Sequence, residues 1–231
     1  MSRHHSTDEV RIAHVAALGQ DLGELFTVLE NALTLIFWRW QQYRALYGGG
    51  QARFDLMNGS GSFFFWTVQQ MIWEDTLLAI ARLTAGPKSA GKSHLTMQRV
   101  GTLISDTQLR ASVQEQVDTL VRSTAFAKVW RDRRLAHRAL DLAMGTAAQP
   151  LPPTSVPEVE DALTQMASIL NAIGLHYMRS TTAFQNSPII GGALDVLYAI
   201  RDGERVEALR QRHLEAGEYR PEEWSDGDPA L

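Results

Sequence analysis

From Asp21 to Tyr47 the apolar residues Leu22, Leu25, Phe26, Leu29, Leu33, Ile36 and Phe37 return at spacings of three and four, the period of one face of a long helix. Gly48, Gly49 and Gly50 end the pattern, and a polar, glycine-rich loop is expected up to Gly61. The period resumes over Ser62 to Thr84, along a stripe of Phe64, Val68, Met71, Asp75, Leu78 and Arg82, and stops at Gly86 and Pro87. Shorter helical stretches follow over Thr96 to Ile104 and Thr107 to Arg122. Ser123 or Thr124 is placed to cap another that runs to Gly145. Ala147 to Pro157 holds Pro150, Pro152, Pro153 and Pro157 and reads as a linker. Pro157 opens a helix capped by Ser155 and running to about Phe184; a more polar one covers Gly191 to Ala216. A helix over Asp8 to Leu18 precedes all of these and joins the first through Gly19. No segment alternates like a strand, so the expected fold class is all-α, a helical bundle.

Composition narrows the function more than the fold. The 231 residues include no cysteine, which removes disulfides, thiolate metal sites and cysteine nucleophiles from consideration. A net charge of −4 makes the whole molecule a poor polyanion binder, so nucleic-acid contact requires a local basic patch. Arginine supplies that potential, because Lys88, Lys92 and Lys128 are the only lysines. MSRHHSTDEV lacks the apolar core of a signal peptide, and the longest apolar run, Ala32 to Trp38, is too short to span a bilayer. The expectation is a cytoplasmic protein with no membrane contact. His4 and His5 lack companion ligands, and His14, His94, His176 and His213 are scattered, so no metal site and no cofactor are expected.

Gly86 to Ser93 matches the pattern G-x-x-x-x-G-K-S of a phosphate-binding loop. Such a loop needs a buried strand before it. The preceding WEDTLLAIARLT is amphipathic and helix-favouring, so the expected structure is a loop between helices. Nucleotide binding through it is the third reading in rank.

The strongest chemical signal is WRDRRLAHRAL, Trp130 to Leu140. At ~100° per residue, Arg131, Arg133, Arg134, His137 and Arg138 fall on one face, with Leu135, Ala136, Ala139 and Leu140 turned inward. An arginine fork can stabilise the charge of a pentacoordinate phosphorane, and a histidine can move the proton of a ribose 2′-hydroxyl. Protonation of the leaving group requires a second acid, which a symmetric dimer would bring.

Arg131-Asp132-Arg133-Arg134-Leu135-Ala136-His137 resembles the R-[polar]-x(3–4)-H signature of the HEPN superfamily of small helical proteins. WEDTLL (Trp73 to Leu78), ARLT (Ala81 to Thr84), PKS before Leu95-Thr96, STTAF (Ser180 to Phe184) and LYAIRDG (Leu197 to Gly203) resemble its AbiU-like, abortive-infection branch. The similarity runs over roughly residues 20 to 215. The resemblance implies a HEPN-type bundle with a long N-terminal helix and an additional C-terminal one. The expected division is an extension over 1–20, a HEPN-like domain over 21–187, a helix over 188–217 packing on that domain or a partner, and an acidic, flexible tail over 218–231. It also implies a metal-independent ribonuclease of a toxin–antitoxin or phage-defence system. Arg131 and His137 would be the catalytic pair, oriented by Asp132. Arg133, Arg134 and Arg138 would bind RNA. The implied partners are RNA, a second copy of the chain, and an antitoxin or other defence protein. A non-catalytic RNA-binding or scaffolding protein is the alternative.

Trp73, Glu74, Asp75 and Arg82 form a second constellation, read either as a structural salt bridge or as a carboxylate that orients the catalytic arginine. Asp75 interrupts an apolar stripe, so it is expected to be buried and paired with Arg82 or an arginine between Arg131 and Arg138. On that expectation Asp75→Ala would cost ~3–5 kcal/mol. Phe63, Phe64, Phe65 and Trp66 are expected at a dimer interface.

Overall fold

The computed structural model describes residues 6–89, 91–135, 139–147, 149–186 and 191–224. Nearly all of its ordered elements are helices, in accord with an all-α fold. Helix α1 spans Thr7–Leu18 and opens on a reciprocal cap: the Ser6 hydroxyl accepts from the Glu9 amide while Glu9 accepts from the Ser6 amide. Gly19, at φ 83°, turns the chain into α2, Gln20–Tyr47. The two helices approach so closely that a Cβ on Gly23 would lie 2.6 Å from the Val15 Cα. Across that contact buried His14 meets the Thr27 hydroxyl at 2.9 Å.

Helix α3 spans Gln51–Leu83 with a break in helical geometry at Gly61. The expected loop before Gly61 is therefore helical. The reason is tertiary: Met57 and Phe65, with Leu46 and Leu197, form a small buried cluster against which Phe54 packs. That burial outweighs the low helix propensity of Gly59 and Ser60. The chain then forms a two-residue antiparallel ribbon, β1 (Lys88–Ser89) with β2 (Lys92–Ser93), inside the stretch expected to be plain loop. A helix, not a strand, precedes Gly86, so the phosphate-loop geometry is missing among the described residues. Buried Thr96 closes the connection by donating to the carbonyls of Leu83 and Ala85.

A short 3₁₀ turn leads into α4 (Val100–Leu103), and α5 (Thr107–Ser123) is capped by Asp106. Helix α6 (Ala125–Trp130) passes into a π-helical turn over Arg131–Leu135, and α7 covers Leu140–Ala143. Helix α8 spans Val156–Met178 behind the Ser155 cap, and Arg179 ends it in the left-handed conformation. It stops short of the expected Phe184 because Ser180 onward turns back to bond the helix: the Thr182 amide donates to Asn171 at 2.8 Å. Helix α9 spans Ala193–Glu215.

The chain divides into two compact units. One comprises Met1–Gln41 and Gln70–Pro188; its fully buried side chains include Leu29, Leu33, Leu77, Ile80, Leu120, Leu163 and Leu170. The other joins Gln42–Gln69 to Ile189–Leu231, so α9 shares a core with the segment after the first long helix pattern. The tail beyond Trp224 lies outside the described residues.

In the second unit Tyr47 donates to the Phe65 carbonyl at 2.6 Å. Burial, with Tyr43 nearby, pushes the Tyr47 phenol from 10.0 up to about 12. The fold thus holds the neutral phenol. Its contribution is complete below pH 10 and is lost as pH rises to about 12. Tyrosinate absorbance should show Tyr47 titrating late, with Tyr43 also raised by burial, and near-UV circular dichroism should change with them.

Candidate functional site

The π turn decides where the motif arginines point. A π turn bonds residues five apart and is wider than an α turn, so the ~100° wheel does not apply after Trp130. The single basic face splits in two. Arg131 opens into a cleft of about 820 Å³ in the first unit. Arg133 and Arg134 line a separate depression of about 350 Å³ with Glu74, Leu142 and Leu151.

In that depression each arginine has an acidic partner. Arg133 meets Asp141 at 2.9 Å and donates to the Gln149 carbonyl at 2.6 Å. Arg134 meets Glu74 at 2.9 Å and lies 5.7 Å over the Trp130 ring. Trp130 is itself fixed by its indole N–H on the Pro152 carbonyl, 3.0 Å away. Glu74 is therefore the carboxylate of α3 that reaches the motif. His137 and Arg138 lie outside the described residues.

Asp75 is not buried. Its side chain is 44% exposed and pairs with Arg39 of α2 at 2.6 Å. The apolar stripe of α3 gave no view of α2, whose Arg39 reaches over from the neighbouring helix. An exposed pair of this kind contributes under about 1 kcal/mol. Asp75→Ala should accordingly shift the melting temperature by only a few degrees, in place of the large loss expected for a buried charge; thermal unfolding measures it.

Arg82 and Asp75 do line the same cleft as Arg131. Three further cations join them: Arg39 from α2, Lys88 from the ribbon and Lys128 from α6. Ser89 and His94 complete that side, 2.5 Å apart. Arg131 is held by its own neighbour, Asp132, at 2.5 Å. Arg82, Lys88 and Lys128 have no carboxylate within ion-pair distance among the described residues. Lys128 stands one turn before Arg131, a spacing legible in the sequence. Arg39, Lys88 and His94 come from distant segments and carried no local signal.

A family model for AbiU2, of the HEPN type, matches residues 19–188. The chain belongs to that family. No curated protein and no solved structure matches it. The AbiU2 match covers the motif, the cleft and the Glu74–Arg134 pair, and leaves α1 and α9 outside. It marks the chain as carrying a HEPN-type domain of abortive-infection systems, hence a defence context. Among the described residues of this AbiU2-type chain, no helix is long and apolar enough to cross a membrane. Phe65 belongs to the core, whereas Phe63, Phe64 and Trp66 are more than half exposed.

Proposed function

We propose that the protein is a metal-independent endoribonuclease of a toxin or phage-defence system. The observation that carries this reading is the placement of Arg131 in a cleft with four other cationic side chains and one carboxylate. Such a cleft suits a phosphodiester backbone. In the proposed reaction His137 takes the proton of the 2′-hydroxyl, the 2′-oxygen attacks the adjacent phosphorus, and Arg131 stabilises the phosphorane. The bond to the 5′-oxygen breaks, and that oxygen takes a proton from a second acid. Asp132 holds Arg131 until the substrate phosphate competes for it. Neither charge stabilisation nor proton transfer here calls on a metal ion. The test is the paired incubation of labelled RNA and the same sequence as DNA, which lacks the attacking hydroxyl. RNA should be cut and DNA left intact.

The second acid is His137 of the partner subunit in a two-fold dimer. The exposed Phe63–Trp66 stack, with centroids 5.8 Å apart, supports an interface between copies. Sedimentation at micromolar concentration should give a dimer, and a monomer would leave the site without its leaving-group acid.

The alternative, RNA binding without cleavage, also has an observation behind it. The Asp132 carboxylate occupies the Arg131 fork that a phosphate must use. On that reading RNA is retained and never cut.

A further inference from the structure

Helix α9 lies beyond residues 19–188 of the family match. Its Leu197 is buried with Leu46, Met57 and Phe65, Ile200 packs against them, and Glu204 accepts from the Ser60 hydroxyl at 2.9 Å. Those three residues mark the side of α9 that faces its own unit. At ~100° per residue, Asp195, Tyr198, Asp202, Arg205, Leu209 and Arg212 fall within an arc of roughly 100° turned away from that side. They recur at spacings of three and four, the period of a helix–helix contact. Tyr198 is 51% exposed and Leu209 44% exposed. A helix whose packing ended with its own core would carry polar side chains there. On this face two large apolar residues instead stand among charges whose signs are segregated. Asp195 and Asp202 precede the middle of Ala193–Glu215, and Arg205 and Arg212 follow it.

We propose that α9 is a self-pairing helix, lying antiparallel against α9 of a second copy about a two-fold axis that passes between Gly203 and Glu204. That register sets Asp202 against Arg205 of the partner subunit, Asp195 against Arg212 of the partner subunit, and Tyr198 against Leu209 of the partner subunit. The symmetry repeats each contact. Acid meets base and apolar meets apolar along the whole face. Other arrangements lose the match. Parallel pairing brings Asp202 against Asp202 of the partner subunit and Arg205 against Arg205 of the partner subunit, like charges at both places. Sliding the antiparallel pair by one helical turn sets Asp202 against Leu209 of the partner subunit. In the single chain Asp202 meets Arg205 at 3.5 Å across one turn, with both side chains well exposed. A pair of that kind is weak and leaves both groups available across the axis. The Phe63–Trp66 stack belongs to the same compact unit as α9, so the helix pair adds to the contact between copies already proposed. The inference takes up the dimer of the ribonuclease reading and rests on that reading for nothing else, since no residue of the motif or the cleft enters it.

The test uses the full-length chain and two pairs of variants. Asp202→Arg alone or Arg205→Asp alone should raise the dimer dissociation constant, read by sedimentation, by about tenfold or more, because each places like charges together twice. An equimolar mixture of the two variants should return to about the wild-type affinity, since each reversal then faces its opposite across the axis. A defect inside one chain would persist in the mixture. The chain has no cysteine, so introduced thiols report the register without background. Tyr198→Cys and Leu209→Cys chains, mixed and oxidised, should give a disulfide-linked dimer of one of each, and either chain oxidised alone should give little. All four positions are exposed, so the variants should fold; circular dichroism checks this. A wild-type chain that is monomeric at micromolar concentration, an affinity unmoved by either charge reversal, no recovery in the mixture, or no mixed disulfide overturns the proposal. Cleavage of RNA is assayed on the same preparations. Cross-linking without cleavage sinks the ribonuclease reading alone, and cleavage without cross-linking sinks this inference alone.

Discussion

His137→Ala should lower the rate of RNA cleavage by roughly 10²–10⁴, the usual worth of a positioned general acid–base group. RNA affinity should change far less than the rate, because the arginines and lysines of the cleft carry the contact with the phosphate backbone. The split matters more than the size of the loss. A histidine needed only for folding would take binding and thermal stability down with the rate. A proton-transfer group removes the rate and leaves both in place. Single-turnover cleavage, together with filter binding of the same RNA, separates the two cases. In the proposed dimer each active centre would use the histidine twice, once as base and once, from the partner subunit, as acid. Mixing wild-type and His137→Ala chains should therefore leave heterodimers that cut far more slowly than half the wild-type rate.

Arg131→Ala should also reduce cleavage, by roughly 10²–10³ if its fork resembles one lost oxyanion donor. Unlike the histidine, Arg131 should also contribute to binding, since it lines the cationic cleft. Its loss should lower the slope of log affinity against log salt by about one, the signature of one phosphate contact. The folded state should tolerate the change. Arg131 is bonded to the exposed Asp132, so its removal leaves no buried charge unpaired. Rate measured against salt, from low to physiological ionic strength, reads both effects in one series.

The helices were legible because their signals are local. The α2 stripe, the Gly48–Gly50 stop and the Ser155 cap each act within a few residues. The misreadings have one physical origin, which is tertiary contact. Gln51 to Ser60 lacks a strong helical signal, yet Met57 and Phe54 bury against Leu46, Phe65 and Leu197 and hold the segment helical. Asp75 looked buried because a helical wheel sees only its own helix, and the partner that draws it outward, Arg39, sits on another. The motif was recognisable as a string, and its arginines were singled out as a group. Their common face was not correct, because the π turn at Arg131–Leu135 changes the angle between successive side chains. Arg131 is thereby separated from Arg133 and Arg134, which Asp141 and Glu74 claim. Glu74, Asp75 and Arg82 were singled out together. The structure divides them, Glu74 with the motif arginines and the other two with Arg131 in the cleft. The cleft's remaining walls come from α2, the ribbon and α6, and such a convergence of distant segments leaves no periodic trace in a single sequence.

The chemistry is tested most directly by the end groups of RNA cut by the purified protein in EDTA. Attack by the 2′-hydroxyl predicts a 2′,3′-cyclic phosphate on one fragment and a free 5′-hydroxyl on the other, formed as fast in EDTA as without it, and no such products from the His137→Ala protein. Intact RNA, fragments bearing 5′-phosphates, or cleavage undiminished by His137→Ala would contradict it.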